Sequence, residues 1–372
     1  MLKAVYRYIK YSDKLTLALC ICCSAVSILL LYGMLGSGMP YVYPRHLKTQ
    51  YAAIALGVLA AVVTSLIDYH LIAKLWKFYV PIALGLVVLT FFFGLRRGDA
   101  DDRAWLPLFS GLSLQPSELM KIAFIMTFSL HLSLVREKLN RILPLLLLCI
   151  HGLVPIVLVR LQGDDGTMLI FCLIFAVMLF SAGLSWKYVL GGIVAVVAAV
   201  PVIWQFMLSN DQRRRFLITY TLESDPLDQG FQQLEGLTAL GSGKLWGVGL
   251  FAEKHWWTPE IHNDFVFTFI GEAFGIVGCI AVLLILSAIM LRFLYAASHA
   301  ADDLGRFICI GVFSMFAFQT ILNIGMCLSL LPVIGLNLPL FSAGGTSVVT
   351  SYLGIGLALS VVYHSRKPEF GN

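Results

Sequence analysis

Ten mainly apolar stretches alternate with short polar breaks along the chain, at about 15–35, 50–67, 77–94, 117–135, 142–160, 166–183, 188–207, 265–295, 306–331 and 344–364. Most approach the roughly 20 residues that a helix needs to cross the hydrocarbon of a bilayer. The pattern predicts an all-α polytopic membrane protein of about ten transmembrane helices, forming a single membrane domain over residues 1–372. The second, sixth and tenth stretches carry small residues or glycine, which membrane helices tolerate. Lys3, Arg7, Lys10 and Lys14 precede the first stretch. That stretch is too long for a signal-peptide core and has no convincing cleavage site, so it reads as the first span. A segment of about 57 residues, near 208–264, separates the seventh and eighth spans. Connections beyond about 15 residues are usually functional or disordered. This one carries Phe231, Trp246, Phe251, Trp256 and Trp257 among scattered glycines. It is expected to be an ordered, partly amphipathic cap on the membrane surface. No internal repeat and no soluble domain are evident.

Composition agrees: 59% of the 372 residues are hydrophobic and 13% charged, against about 25% charged in soluble domains, and the mean hydropathy is +0.86. The positive-inside rule orients the spans. With both termini cytoplasmic, the inner segments hold 14 of the 26 Lys and Arg residues, spread over every inner loop. The acids distribute differently. Of 21 Asp and Glu residues, only Asp13, Asp68, Glu137, Asp302, Asp303 and Glu369 lie on the inner side. Acidic residues do little to set topology, so their outer excess points to a functional outer face. A net charge of +5 without a long basic run gives no reason to expect nucleic acid. The eight cysteines all lie in apolar stretches, without metal-ligand spacing, and read as small buried hydrophobes.

Ionisable residues in or near membrane spans are costly and therefore candidates for function. Glu118 and Lys121, three apart at the start of the fourth span, share a helix face and can pair, as a structural tie or as the lining of an outward cavity. Asp164 and Asp165 sit in the turn LQGDDGT, where a cap is the plain reading and a cavity-facing carboxylate the alternative. Asp264, in PEIHNDFVFTFIGE, stands where the long loop meets the eighth span, after Glu260 and His262 and before Glu272. An N-cap role would explain Asp264 but not the more deeply placed Glu272; the functional alternative is a base at Asp264 on the membrane boundary with Glu272 binding substrate. Arg213 and Arg214, with Arg215, suit a phosphate, either of anionic lipid or of a pyrophosphate-linked substrate. The segment LPVIGLNLPLFSAGGTS places irregular backbone before the last span, and its amides, with Ser342, Thr346 and Ser347, could bind an anion.

These segments together resemble the SEDS family (shape, elongation, division and sporulation), which includes RodA, FtsW and SpoVE. The resemblance runs through nearly the whole chain, in QPSELMK (115–121), QGDDGT (162–167), DPLDQGFQ (225–232) with ALGSGKLWGVGL (239–250), HNDFVFTFIGEAFGIVG (262–278) and NIGMCLSLLPVIGLNLPLFSAGG (323–345). SLIDYHLIAKLWK (65–77) looks more like the RodA branch than the FtsW branch. The resemblance implies a peptidoglycan glycosyltransferase of the bacterial cytoplasmic membrane that polymerises lipid II at the outer face. Asp264 matches the family's essential aspartate, Glu118 and Lys121 its QPSELxK pair, and Asp164 the aspartate of its QPDLGT turn. The chain departs from the pattern at Gly163, Asp165, Glu235, Gly236 and Ala343, where the family usually has Pro, an apolar residue, Gln, Ser and Tyr.

On this reading Asp264 orients or deprotonates the acceptor sugar's 4-hydroxyl. That oxygen attacks the donor's anomeric carbon with inversion and expels a polyprenyl pyrophosphate. Arg213, Arg214, Lys121 or a divalent cation (Mg or Mn) could stabilise the leaving charge; no protein metal ligands are assigned. The resemblance also implies a class B penicillin-binding transpeptidase and other membrane proteins of an elongation or division complex as partners. Two rival readings are a flippase of lipid-linked precursor, which needs polar residues accessible from both sides, and a non-catalytic scaffold, in which Asp264 substitutions would be silent.

Overall fold

The computed structural model describes residues 12–95, 103–108, 113–222 and 230–365. Long helices dominate: α1 (Lys14–Gly36), α2 (Pro44–Leu66), the short α3 (Tyr69–Lys74), α4 (Trp76–Phe93), α5 (Pro116–Val135), α6 (Ile142–Leu161), α7 (Asp165–Ser181), α8 (Trp186–Val202), α9 (Asn210–Ile218), α10 (Phe231–Ser242), α11 (Val266–Ser298), α12 (Asp303–Cys327) and α13 (Gly345–Ser365). A two-stranded hairpin, β1 (Leu106–Pro107) with β2 (Ser113–Leu114), lies between α4 and α5. Among the described residues nine helices are long and apolar enough to cross a membrane. The sixth expected span, α7, is apolar but has 17 residues, about 26 Å at the helical rise, slightly short of the hydrocarbon thickness. The ten elements follow the ten apolar stretches in order.

Burial sorts the helices. Most of α12 and α13 is enclosed by neighbours, whereas no residue of α8 is buried, so α12 and α13 form the centre and α8 the rim. The closest seam joins α2 to α13. Gly57 and Ala61, a small-xxx-small pair, face Tyr352 and Gly356, where a Cβ added at either glycine would collide with the opposite helix. Such seams let backbones approach in a bilayer, where the solvent gives no hydrophobic drive to helix association. Tyr352 uses its hydroxyl at the seam, pairing with Ser24 Oγ at 2.8 Å and donating to Cys20 O at 3.2 Å.

Five cysteines (Cys20, Cys23, Cys279, Cys309, Cys327) are buried, but Cys22 is exposed and Cys149 and Cys172 are half-buried. The expectation of eight buried thiols is therefore corrected for three positions on outward-facing sides of helices, where lipid rather than protein would cover them.

At one end of the bundle, Asp13 before α1 accepts from Arg292 of α11 at 2.8 Å, and Ser365 at the end of α13 accepts from Ala301 N–H. The two ends of the described chain thus lie on the same side. His70 bridges Asp68 and Asp302 there, and Arg136 pairs with Asp303.

The opposite end carries the cap. After α10, residues 243–250 run back along the first turns of α11, which breaks at Gly275 (φ 65°, ψ −163°). The break opens the helical ladder, and the cap strand fills it. Val248 N–H donates to Glu272 O, Gly249 N–H to Ala273 O, Ile276 N–H to Lys244 O and Val277 N–H to Leu245 O. Non-helical backbone at membrane depth is tolerated where its polar groups are satisfied in this way. A Cβ at Gly243, Gly247 or Gly275 would strike the facing backbone, so these three glycines are required by close approach.

Candidate outward-facing functional site

Asp264 lies in the turn that joins the cap to α11. The N-cap position of α11 is Phe265, which makes no side-chain cap bond, and Asp264 stands one residue before it. The turn is fixed through its backbone. Asn323 of α12 donates from one amide nitrogen to Asp264 O at 2.7 Å and to Leu336 O at 2.6 Å. Ser342 Oγ donates to Asn263 O at 2.6 Å and accepts from Leu338 N–H, while Ala343 N–H donates to His262 O at 2.8 Å. Gln50 of α2 donates to Ser342 O and to Ser27 Oγ. The Asp264 turn and the irregular segment before α13 therefore form one stitched unit. Gly335, at φ 67°, presents its open side to Asp264, and a Cβ there would lie 3.7 Å from Oδ2.

The same segment reaches Asp164. Gly166, in the first turn of α7, packs so closely on Ile334 O that a Cβ would clash. Asp164 caps α7, accepting from Thr167 N–H at 2.9 Å, and its second oxygen accepts from Gln115 Nε2 at 2.8 Å and Ser117 Oγ at 3.3 Å. Gln115 N–H donates in turn to Thr346 Oγ1 at 3.3 Å. Cap and cluster readings of Asp164 thus hold together: one oxygen serves each. Glu118 and Lys121 pair at 2.7 Å on α5 with side chains 5% and 0% exposed, so the pair is fully enclosed. Ser347 is buried in the first turn of α13.

Three expected site residues sit differently. Glu272 is buried in α11, where one oxygen accepts from Trp256 N–H at 2.7 Å and the other faces His255 Nδ1 at 3.4 Å. It ties down the cap segment that precedes Asp264. Arg213 on α9 donates to Gln205 O at 2.8 Å, and Arg214 is exposed on the same helix. Helix α9 is held near the cluster by Gln212, which donates to Asp165. Residues 225–229 of the DPLDQGFQ motif, and residues 96–102 of the connection before α5, lie outside the described residues.

Amides that the sequence reading passed over hold the site together. Besides Asn323, Gln50 and Gln115, Gln233 of α10 donates to Leu331 O at 2.8 Å and Met326 O at 3.2 Å, and Gln232 to Pro259 O at 3.0 Å. Their signal was an uncharged polar residue in or beside an apolar span. The departures from the family pattern also acquire reasons. Gly163 has φ 85°, which proline cannot adopt. Asp165 pairs with Arg160 at 2.8 Å. Gly236 lets α10 approach the Phe265 ring, where a Cβ would sit 3.0 Å away. Nothing in the structure explains Glu235.

An all-α membrane bundle with a capped polar site at one end defines the class as a polytopic membrane protein with chemistry at one face. The chain belongs to the FtsW, RodA and SpoVE family of cell cycle proteins, whose model matches residues 12–367. It is 33% identical to the probable peptidoglycan glycosyltransferase FtsW of Geobacter metallireducens, over 85% of this chain and 84% of that protein. It is 31% identical to the peptidoglycan glycosyltransferase MrdB of Escherichia coli K12, over 84% of each. These near-equal identities do not separate the branches of the family. A chain from a structure described as the coordination of polymerization and crosslinking by a peptidoglycan synthase complex superposes with a TM-score of 0.81 at 27% identity, covering 96% of this chain and 99% of that one.

Proposed function

We propose that this protein is a peptidoglycan glycosyltransferase that polymerises lipid II at the outer face of the cytoplasmic membrane, with both termini in the cytoplasm. The observation that carries the reading is Asp264. Its backbone is clamped by Asn323, its neighbours by Ser342, and its carboxylate stands beside the open face of Gly335. A carboxylate held in place by a clamped backbone is positioned to act as a general base.

In the proposed reaction Asp264 takes the proton of the acceptor's 4-hydroxyl. The oxygen attacks the donor's anomeric carbon as the bond to the polyprenyl pyrophosphate breaks, inverting the centre and leaving a β-1,4 link. Lys121 is the family-matched cation for the departing charge, and it is paired with Glu118 until substrate alters the pair. Arg213 would have to leave Gln205 O to contribute. A divalent cation (Mg or Mn) bound with the pyrophosphate would supply the same stabilisation of the departing charge. A class B penicillin-binding transpeptidase is the proposed partner; the similar chain in a synthase complex supports this.

Purified Asp264→Ala protein should remain folded and should lose polymerisation of fluorescent lipid II by at least about a hundredfold, the scale of a lost general base. Polymer made at the wild-type rate would sink the assignment and favour a scaffold.

A further inference from the structure

We infer that a small pocket beside the Asp264 turn is a subsite for one neutral N-acetylhexosamine ring of the growing glycan. The inference rests on the polymerase reading and adds to it a place for product. The pocket encloses about 300 Å³ and is lined by Tyr41, Trp257, Thr258, Glu260 and His262 together with neighbouring backbone. That volume lies at the small end of ligand sites and suits a single ring.

Its walls match the two faces of a sugar. The Tyr41 and Trp257 rings stand 5.8 Å apart at 39°, with Phe231 behind Trp257 at 6.2 Å. They form an aromatic corner for the C–H face of a pyranose. Polar groups close the other side. Glu260 has one oxygen held by Asn263 Nδ2 at 2.7 Å, and the His262 ring is fixed by stacking on His46 at 4.4 Å. Thr258 is fully buried, and its hydroxyl has no hydrogen-bond partner among the described residues.

Backbone strain points to the same place. Tyr41 and Glu260 take φ of 62° and 53°, in the left-handed region that non-glycine residues avoid. Glu260 O accepts from Asn263 and Phe265 N–H, so the strained residue that lines the pocket also shapes the turn that carries Asp264. Charge selects the occupant. One carboxylate and no Lys or Arg line the pocket, which disfavours a pyrophosphate and favours an uncharged ring. His262 is two residues from Asp264, within about 7 Å of extended chain, so the ring would be one adjoining the reacting sugars.

The test uses full-length Asp264→Ala protein in nanodiscs and a lipid-free tetrasaccharide of alternating N-acetylglucosamine and N-acetylmuramic acid, followed by saturation-transfer NMR. Saturation of N-acetyl protons is expected, with affinity reduced about tenfold by an added Trp257→Ala and less by Glu260→Gln. Glu260 is exposed, so E260Q keeps the test valid should W257A fail to fold. No binding at millimolar sugar, or equal binding by all variants, would overturn the subsite and leave Trp257 as an interfacial aromatic. The readout is binding, not turnover, so a negative result leaves the polymerase reading intact. Polymerisation by the D264A protein would sink that reading alone.

Discussion

The two ends of the bundle are held by different chemistry. The end that gathers Asp13, Asp68, Asp302 and Asp303 is tied by ion pairs to Arg292, His70 and Arg136, at half-exposed positions apart from the buried Asp13. The capped end is tied mainly by uncharged amides and hydroxyls on backbone carbonyls, and its Glu118–Lys121 pair is enclosed. Exposed ion pairs contribute little, about 0–1 kcal/mol each, and rearrange easily. Buried hydrogen bonds from a fixed amide hold one geometry, and a carboxylate base must be placed to within about half an ångström to work. The difference divides labour: one end closes the bundle, the other keeps a site in shape.

This contrast can be broken most severely at the enclosed pair. Glu118→Ala would leave Lys121 buried without its partner and should cost about 3–5 kcal/mol, read as a lower unfolding midpoint in detergent. Replacing both by Met should recover much of that stability; whether polymerisation returns with it separates a tie from a working group. Asn323→Leu comes next. It removes two hydrogen bonds from a buried amide, with an expected loss of about 1–3 kcal/mol and a larger proportional fall in lipid II turnover than in stability. An equal loss of both would mean that Asn323 serves folding alone. Gly335→Ala should cost about 1–2 kcal/mol for its positive φ, and should raise KM if the methyl group beside Asp264 obstructs substrate.

The weakest effect is expected at the ion-paired end. Burial opposes protonation of His70, but hydrogen bonds and charge from Asp68 and Asp302 outweigh it and raise its pKa above 6.5. Burial would likewise raise the Asp68 pKa, yet the bonds from His70 bring it below 3.8. The histidine's contribution is complete below its unfolded pKa and is lost as pH rises through the raised folded value. The aspartate's is complete above its unfolded pKa and is lost as pH falls through the lowered one. The contact is therefore strongest from about pH 4 to pH 6.5. Unfolding midpoints should decline slightly from pH 6.5 upward, and His70→Gln should flatten that decline. An unchanged slope in H70Q would remove His70 from the account.

The sequence made the span order readable because hydropathy acts within each segment, and it made Asp264 conspicuous because charge at a membrane boundary is costly. It concealed what depends on distant backbone. The glycines at 243, 247 and 249 were visible, but not that they dock on a helix broken at Gly275. Glu272 looked like a substrate ligand from its depth alone, and only the fold reveals Trp256 N–H against it. Asn323 and Gln233 were passed over because a lone amide in an apolar run carries no charge to flag it, although hydrogen bonding in a dry interior makes such residues decisive. Arg213 was read from its guanidinium without knowing that Gln205 O would occupy it.

The break in α11 also limits how the protein can move. Four backbone hydrogen bonds fasten residues 244–249 into the opened ladder, and swinging that strand away would strand the same groups without partners in a poorly hydrated setting. This part of the cap must travel with the helix as a rigid body. Any gate that admits a lipid-borne molecule has to be sought elsewhere, and α8, with no residue buried, is the span least restrained by its neighbours.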